Sequence, residues 1–335
     1  MAVLQHTQGS TLTLHEYPTT GGLTLQLPGG VLVNAPFDEP YCQEAEVWLE
    51  EDGAERLVLR LGSDFVPILR VLPLPGYLQA MDNEGRPVRD VVMSHADRVR
   101  ISPITGCVYD CGFCDFPQMK FELRPLERLL AALRIAQSDT VLPTRHMLIS
   151  GGSPGRKQYP AFEEIIHGLI AASPGPVDLM MSPMVDNLDF LDRMVASGLA
   201  GLSINLEVFT PKAGQAVMPG KYRSTRSHFA ASVTRAVHLL GASGRVRSLI
   251  IPGLESMENT LKGVEDLAAL GCHPTLSPFR PASGTSLTSL QPPSVGDLTR
   301  LLDMSRSIVA RNHVNLGPDC APCQHNTLAF PWDLE

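Results

Sequence analysis

The chain predicts an α/β fold, a partial (β/α)6 barrel of the TIM type with a β-rich N-terminal region and a C-terminal tail. Three observations lead there. After Asp97, short apolar runs alternate with segments whose apolar residues recur at helical spacing. Six such units follow in succession, which implies right-handed crossovers and a parallel sheet but is too few for a closed eight-stranded barrel. The segments of chemical character fall at the ends of the runs, where parallel α/β sheets collect their ligands.

Residues 1–96 read as a β appendage or lid. Thr11–Leu14, Leu23–Leu27, Val31–Val33 and Arg56–Leu61 are short, partly alternating runs broken by Gly, Pro and Asp-Gly signals. They hold no chemical motif, and a substrate-recognition module is the alternative. Residues 97–290 carry the strand–helix units. Val99–Ile104 precedes a cysteine-rich loop and the helix Pro125–Ala136. His146–Ile149 is followed by a helix presenting Phe162, Ile165, Ile166 and Leu169, and Val177–Met181 by Leu188–Ala196. Leu202–Val208 precedes a long helix with Phe229, Val233, Val237 and Leu240 on one face. Val246–Ile251 precedes Leu261–Leu270. The last strand, Pro274–Phe279, leads to residues 291–335, a final helix near Leu298–Val309 and a cysteine-containing tail.

Composition narrows the function. The 335 residues are 44% apolar and 19% charged, as in a folded domain, and the net charge of −8 argues against a nucleic-acid binder. No run approaches the roughly 20 apolar residues of a membrane span. Met1 to Ser10 lacks the basic and apolar regions of a secretory signal. Three of the seven cysteines lie within eight residues, which suits metal ligation in a reducing cytoplasm better than a disulfide framework.

Those three are Cys107, Cys111 and Cys114, in a C-x3-C-x2-C loop. Thiolates favour iron–sulfur clusters or zinc. A structural zinc site takes four protein ligands, usually as two paired clips, and this loop supplies three with no fourth Cys or His nearby. Three ligands on a four-iron cluster leave one iron free to bind a chelating molecule. A zinc knuckle completed from elsewhere, or reduced core thiols, is the competing reading.

The spacing, with Phe113 just before the third cysteine, resembles the defining motif of the radical S-adenosylmethionine (SAM) superfamily, and later segments resemble its biotin-synthase-like branch. The resemblance spans roughly residues 98–290. It implies a [4Fe–4S] cluster on Cys107, Cys111 and Cys114, and SAM as cofactor. Ile149-Ser150-Gly151-Gly152-Ser153 resembles the glycine-rich segment whose backbone holds the SAM amino group, with Ser153 where the family often has Glu. Asn205-Leu206-Glu207 resembles the Asn-Leu-Asp of biotin synthase, which implies a ribose contact for Glu207 and a cofactor-facing Asn205. Read by alternation, both point to one face. Ile251-Pro252-Gly253-Leu254-Glu255 resembles the adenine-packing segment, through Ile251 and a turn at Gly253. Pro278-Phe279-Arg280-Pro281 with Gly284-Thr285 resembles the ending shared by biotin-synthase-like members. Arg226, read as opening the helix after the fourth strand, is a candidate for the SAM carboxylate, with Arg223 and Lys221 as equals and a solvated helix face as the alternative.

The implied activity is reductive cleavage of SAM to start radical chemistry on a small-molecule substrate: hydrogen abstraction, sulfur insertion or rearrangement. A flavodoxin- or ferredoxin-like protein would supply the electron. Aminocarboxypropyl transfer from SAM is the alternative within the class, and a non-catalytic iron–sulfur or zinc protein the alternative outside it. Shielding of the barrel mouth is expected from the β region or the tail. Cys320-Ala321-Pro322-Cys323 forms a second pair, which His325 could supplement. An auxiliary iron–sulfur cluster, a zinc site and redox-active or idle thiols all fit it.

Overall fold

In the computed structural model, residues 2–4, 22–36, 41–42, 45–52, 56–183, 188–241 and 245–334 are described. The run expected at Thr11–Leu14 lies outside them. The main sheet takes β8 (Val92–His95), β9 (Arg98–Ile101), β12 (His146–Ile149), β13 (Val177–Met181), β14 (Gly201–Ile204), β15 (Val246–Ile250) and β16 (His273–Leu276). Its order is β16-β15-β14-β13-β12-β9-β8. Pairing is parallel from β9 to β16, and β8 is antiparallel to β9. The two edge strands do not pair, so the sheet is not a closed barrel.

Helices α1 (Leu126–Gln137), α2 (Tyr159–Ala172), α3 (Asp189–Ala196), α4 (Pro211–Val217), α5 (Pro219–Leu240), α6 (Met257–Ala269) and α7 (Val295–Arg311) fill the crossovers and follow the last strand. Their buried residues repeat at helical spacing, as Leu129, Ala132, Leu133 and Ala136 do in α1. Ser256 and Ser294 cap α6 and α7 by accepting the amides of Asn259 and Asp297.

Alternation along the strands separates two faces. Val99, Ile101, Met147, Ile149, Val177, Leu179, Leu202, Ile204, Val246, Ile250 and Leu276 enter the main core beneath the helices. The opposite row is largely polar: Arg98, Arg100, His146, Asp178, Ser203, Arg247 and Thr275. At its amino-terminal level, Asp178 on β13 bonds Arg247 on β15, reaching across β14. The intervening residue is Gly201, and a methyl there would overlap the Asp178 carboxylate.

The N-terminal region builds two small sheets from β1 (Ala2–Leu4), β2 (Leu23–Gln26), β3 (Leu32–Ala35), β4 (Val47–Glu51), β5 (Leu57–Leu61), β6 (Asp64–Pro67) and β7 (Arg70–Val71). Their orders are β1-β4-β5-β6 and β3-β2-β7. Leu23, Leu25, Ala35 and Leu49 form a separate core. The division expected at residue 96 is bridged by the β8–β9 hairpin.

Several boundaries differ from expectation. The run at Val99–Ile104 splits into β9 and a short β10 (Ile104–Thr105), which pairs β11 (Glu122–Leu123). The fourth strand ends at Ile204 rather than Val208, because the Asn205 side chain takes over the ladder by accepting the amide of Leu249. The short α4 follows it, and the long α5 begins at Pro219, so Arg226 lies inside α5 rather than at its start.

Gly201→Ala should destabilise the fold by about 1–3 kcal/mol through overpacking. Gly296→Ala, in the first turn of α7 and with nothing within 4 Å, should hold stability or raise it slightly. Urea denaturation of the two variants checks this.

Candidate active site

The cysteine loop is the excursion of the β10–β11 hairpin, and Gly106 forms its neck. Gly106 has φ +69°, and a Cβ there would lie 2.8 Å from the Met119 carbonyl oxygen, so only glycine lets the two sides of the neck approach. The loop is then tied to three neighbours. On the β12 side, the Ser153 amide donates to Cys107 Sγ at 3.2 Å and the Val108 amide donates to the Ser153 carbonyl at 3.3 Å. Toward α4 and α5, the Gly112 amide donates to the Val217 carbonyl at 2.7 Å and Asp110 accepts the Gly220 amide at 2.9 Å. After β16, Ser286 Oγ donates to the Gly112 carbonyl at 3.3 Å.

Gly151 and Gly152 let β12 meet this loop. A Cβ on Gly151 would lie 2.9 Å from the Ile104 carbonyl oxygen, and one on Gly152 would overlap the Gly106 carbonyl. Ser153 turns its hydroxyl to Ser182 at 2.9 Å. Gly151, Gly152, Ser153, Tyr109, Met180 and Ser182 share a cleft at the carboxyl ends of β12 and β13.

Burial pushes the Cys111 and Cys114 thiols up, Cys114 to about 11, and the neighbouring Glu207 charge pushes the same way. Both therefore stay protonated at neutral pH unless a cation binds among them. Among the described residues, one group of three donors lies within 4.8 Å, and it is His146, Cys320 and Cys323 rather than the loop thiols. The loop thiols thus do not converge on a single-ion point, which suits a multi-iron cluster better than zinc.

Glu207 lies beyond the strand end at φ +66°, an unfavourable backbone region for a non-glycine residue. Backbone bonds hold it there: its amide donates to the Leu249 carbonyl and its carbonyl accepts the Ile251 amide, each at 2.8 Å. Its side chain is buried, with Oε1 2.7 Å from the buried Lys221 ammonium and Oε2 without a hydrogen-bond partner among the described residues. A buried carboxylate oxygen with no partner can accept from hydroxyl donors, so the residues fit the ribose contact the resemblance implies. Asn205 holds the strand end through its carboxamide oxygen. Its Oδ1 accepts from Ser203 Oγ at 2.8 Å and from the Leu249 amide at 3.3 Å.

Phe113, Ile251 and Phe279 line one cleft at the ends of β15 and β16, joined by Tyr41 from the N-terminal region. Gly253, at φ +103°, lets the chain turn against Phe279 and Pro293. Arg226 is engaged elsewhere: its guanidinium lies over Phe209 and Phe229, 5.8 and 5.7 Å from the ring centroids, and donates to the Phe209 carbonyl. Glu255 was legible only as part of a motif, and its carboxylate accepts the Phe209 and Thr210 amides at 2.6 and 3.1 Å, fixing the turn into α4. Lys221, read beforehand as one of three equivalent cations, is the one that meets Glu207.

The second cysteine pair lies at the opposite, amino-terminal end of the sheet. Cys320 caps α8 (Ala321–Gln324) and Cys323 lies within it, with Sγ atoms 3.4 and 4.0 Å from His146 Nδ1 at the start of β12. Burial acts to lower the His146 pKa, but hydrogen bonds to Asp178 and Cys323 outweigh it and raise the value to about 9. A hydrogen bond from Cys320 holds Cys323 well below the usual thiol range. His325, expected as a donor, is turned away: Nδ1 meets the Pro322 carbonyl and the ring stacks on His95 at 4.0 Å. This part of the tail therefore packs at the far end of the sheet instead of covering the strand ends at the cysteine loop.

The Radical SAM superfamily profile matches residues 101–273, more than half the chain, and covers the cysteine loop and the parallel strands from β12 to β15. The chain belongs to the radical SAM superfamily. Bacteriochlorophyllide c C-7(1)-hydroxylase of Chlorobaculum limnaeum is 29% identical over 110 residues, 32% of this chain and 27% of that protein. GTP 3′,8-cyclase of Cyanothece sp. (strain PCC 7425 / ATCC 29141) is 30% identical over 185 residues, 53% of each. The chain thus matches about half or less of the length of these curated relatives, both of them enzymes. Streptococcus suis SuiB, solved bound to S-adenosylmethionine, shares the fold with TM-score 0.54 at 16% identity, over 67% of this chain and 50% of that one. Family membership implies a [4Fe–4S] cluster and SAM as cofactors.

Gly152→Ala should force the loop away from β12 and lower iron retention after anaerobic reconstitution, read by iron analysis. Lys221→Met strands the Glu207 charge and should cost about 3–5 kcal/mol of stability, measured by urea denaturation.

Proposed function

We propose that this chain is a radical SAM enzyme of the biotin-synthase-like branch, acting on a small-molecule substrate from a partial (β/α)6 barrel. The observation that carries the reading is the meeting of three thiols, a glycine cradle and a buried, half-satisfied carboxylate at the carboxyl ends of one parallel sheet. The curvature of a partial barrel is supported by the Asp178–Arg247 pair, which spans three strands on the polar face.

Cys107, Cys111 and Cys114 would hold the cluster. Once loaded, the cluster supplies the single electron that breaks a C–S bond of SAM. The protein's part is placement. Gly151 and Gly152 expose backbone to the amino group, Glu207 Oε2 accepts ribose hydroxyls while Lys221 holds Oε1, and Phe113, Ile251 and Phe279 offer apolar surface to the adenine. Gly253 forms the turn beside it. Asn205 holds the strand end on which Glu207 sits, and Arg226 steadies the Phe209 turn. Excluding water from the apolar cleft protects reactive species from side reactions. The hydroxylase and the cyclase among the relatives favour a small molecule as substrate. The electron would come from a flavodoxin- or ferredoxin-like donor in the cytoplasm.

Anaerobic reconstitution should yield about four irons per chain at the loop, lost in Cys107→Ala/Cys111→Ala/Cys114→Ala. With dithionite and SAM the loaded protein should release 5′-deoxyadenosine and methionine. Release of 5′-methylthioadenosine would select aminocarboxypropyl transfer instead, and no cleavage at full iron loading would refute the proposal. Glu207→Gln should retain iron yet weaken SAM binding by about 10-fold or more, as expected for loss of a charge-assisted hydrogen bond.

A further inference from the structure

We propose that His146, Cys320 and Cys323 form a second metal site, which binds one zinc ion and clamps the C-terminal tail to the amino-terminal end of the sheet. The three donor atoms come from two segments 174 residues apart and lie within 4.8 Å of one another. Zinc–sulfur and zinc–nitrogen bonds of about 2.3 and 2.0–2.1 Å, at a tetrahedral angle, place sulfur and nitrogen about 3.6 Å apart. The two observed separations, 3.4 and 4.0 Å, bracket that value.

The surroundings favour a single ion over the other readings of the pair. The three donor atoms lie within 4.8 Å of one another, close enough to share one ion, whereas the ligands of a multi-iron cluster bind separate irons, and Cys272 is buried in the main core outside the group. His146 turns its other nitrogen, Nε2, to Asp178 Oδ2 at 3.2 Å. Metal-binding histidines have such a carboxylate behind them, because it fixes the ring and raises the basicity of the ligating nitrogen. Asp178 is itself bonded to Arg247, which also lies 3.9 Å from Asp319, and Arg98 is close enough to influence both thiols. A water would complete the tetrahedron, as in zinc sites with three protein ligands.

The clamp has something to hold. From Gly317, whose amide donates to the Pro274 carbonyl at 2.6 Å, to Leu328, whose amide donates to the Leu276 carbonyl at 2.8 Å, the tail follows the open edge of β16. His325 stacks on His95 of β8, and its carbonyl accepts the Asn34 amide at 3.0 Å. The tail thereby joins the last strand, the first hairpin and the small N-terminal sheet, and the ion would pin its turn to β12.

The test is metal analysis of the full chain, grown with zinc and reconstituted anaerobically with iron and sulfide. About one zinc per chain is expected in wild type and in Cys107→Ala/Cys111→Ala/Cys114→Ala, and none in Cys320→Ser/Cys323→Ser. Retention in the loop variant makes the result independent of the radical SAM reading. Asp178→Asn should weaken zinc binding about 10–100-fold, read by competition with a chromogenic chelator. Should the tail variants not fold, alkylation of wild type decides: zinc should protect Cys320 and Cys323, and a chelator should expose them. Wild type without zinc overturns the proposal. So does iron at about twice the loop's complement, falling by half in the tail variant, or a Cys320–Cys323 disulfide in the isolated protein.

Discussion

Two glycines meeting without side chains between them set the geometry of this protein's active end. Gly152 at the end of β12 lies against the Gly106 carbonyl at the neck of the cysteine loop, closer than any Cβ permits. That contact brings the Ser153 amide to Cys107 Sγ and the Val108 amide to the Ser153 carbonyl. The remaining ties, through Gly112 and Asp110, hang the loop between the strand ends and the start of α5. A loop of thiols otherwise has little to order it, since fixing each backbone residue costs about 1–2 kcal/mol.

The sheet has chemistry at both ends because one of its faces is polar. In most parallel sheets both faces are buried under helices and the strands read as continuous apolar runs. Here one row is apolar and the other carries Arg98, His146, Asp178, Arg247 and Thr275. At the carboxyl ends this row gives way to the glycine cradle and Glu207. At the amino-terminal ends it gathers an ion-paired network, His146–Asp178–Arg247, against the tail cysteines. Burying such groups costs free energy unless each finds a partner, and the tail supplies some of the partners.

The long periodic helices and the central strands were readable because apolar period and strand length agree there. His146–Ile149 and Val177–Met181 were delimited to the residue. The β8 hairpin was not seen: Val92–His95 has two polar residues in four and no turn signal that assigns it to the sheet. The cysteines and glycines were legible because their residue types are costly to explain otherwise. Arg226 was read at a helix start but lies inside α5, since a guanidinium at a helix start and one packed on Phe209 and Phe229 look alike in one dimension. His146 was passed over because a lone polar residue at a strand start carries no signal by itself. Its meaning comes from a turn far away in the chain. One cue was available: Arg98, Asp178 and Arg247 also stand near the starts of their strands, and such a polar rim is unusual for residues that face a core.

The tail's placement has a consequence for how the molecule is assembled. Among the described residues, the hydrogen bonds that tie the thiol loop to its neighbours come from residues before Leu290, whereas the turn at Cys320 is translated only after every strand it packs against. A nascent chain can therefore complete its catalytic end while the opposite end still stands open, with Asp178, Arg247 and His146 hydrated. Arrival of the tail is the event that dries that chamber and locks the last strand to the first hairpin. Ribosome-bound intermediates would thus have a finished face and an unfinished one.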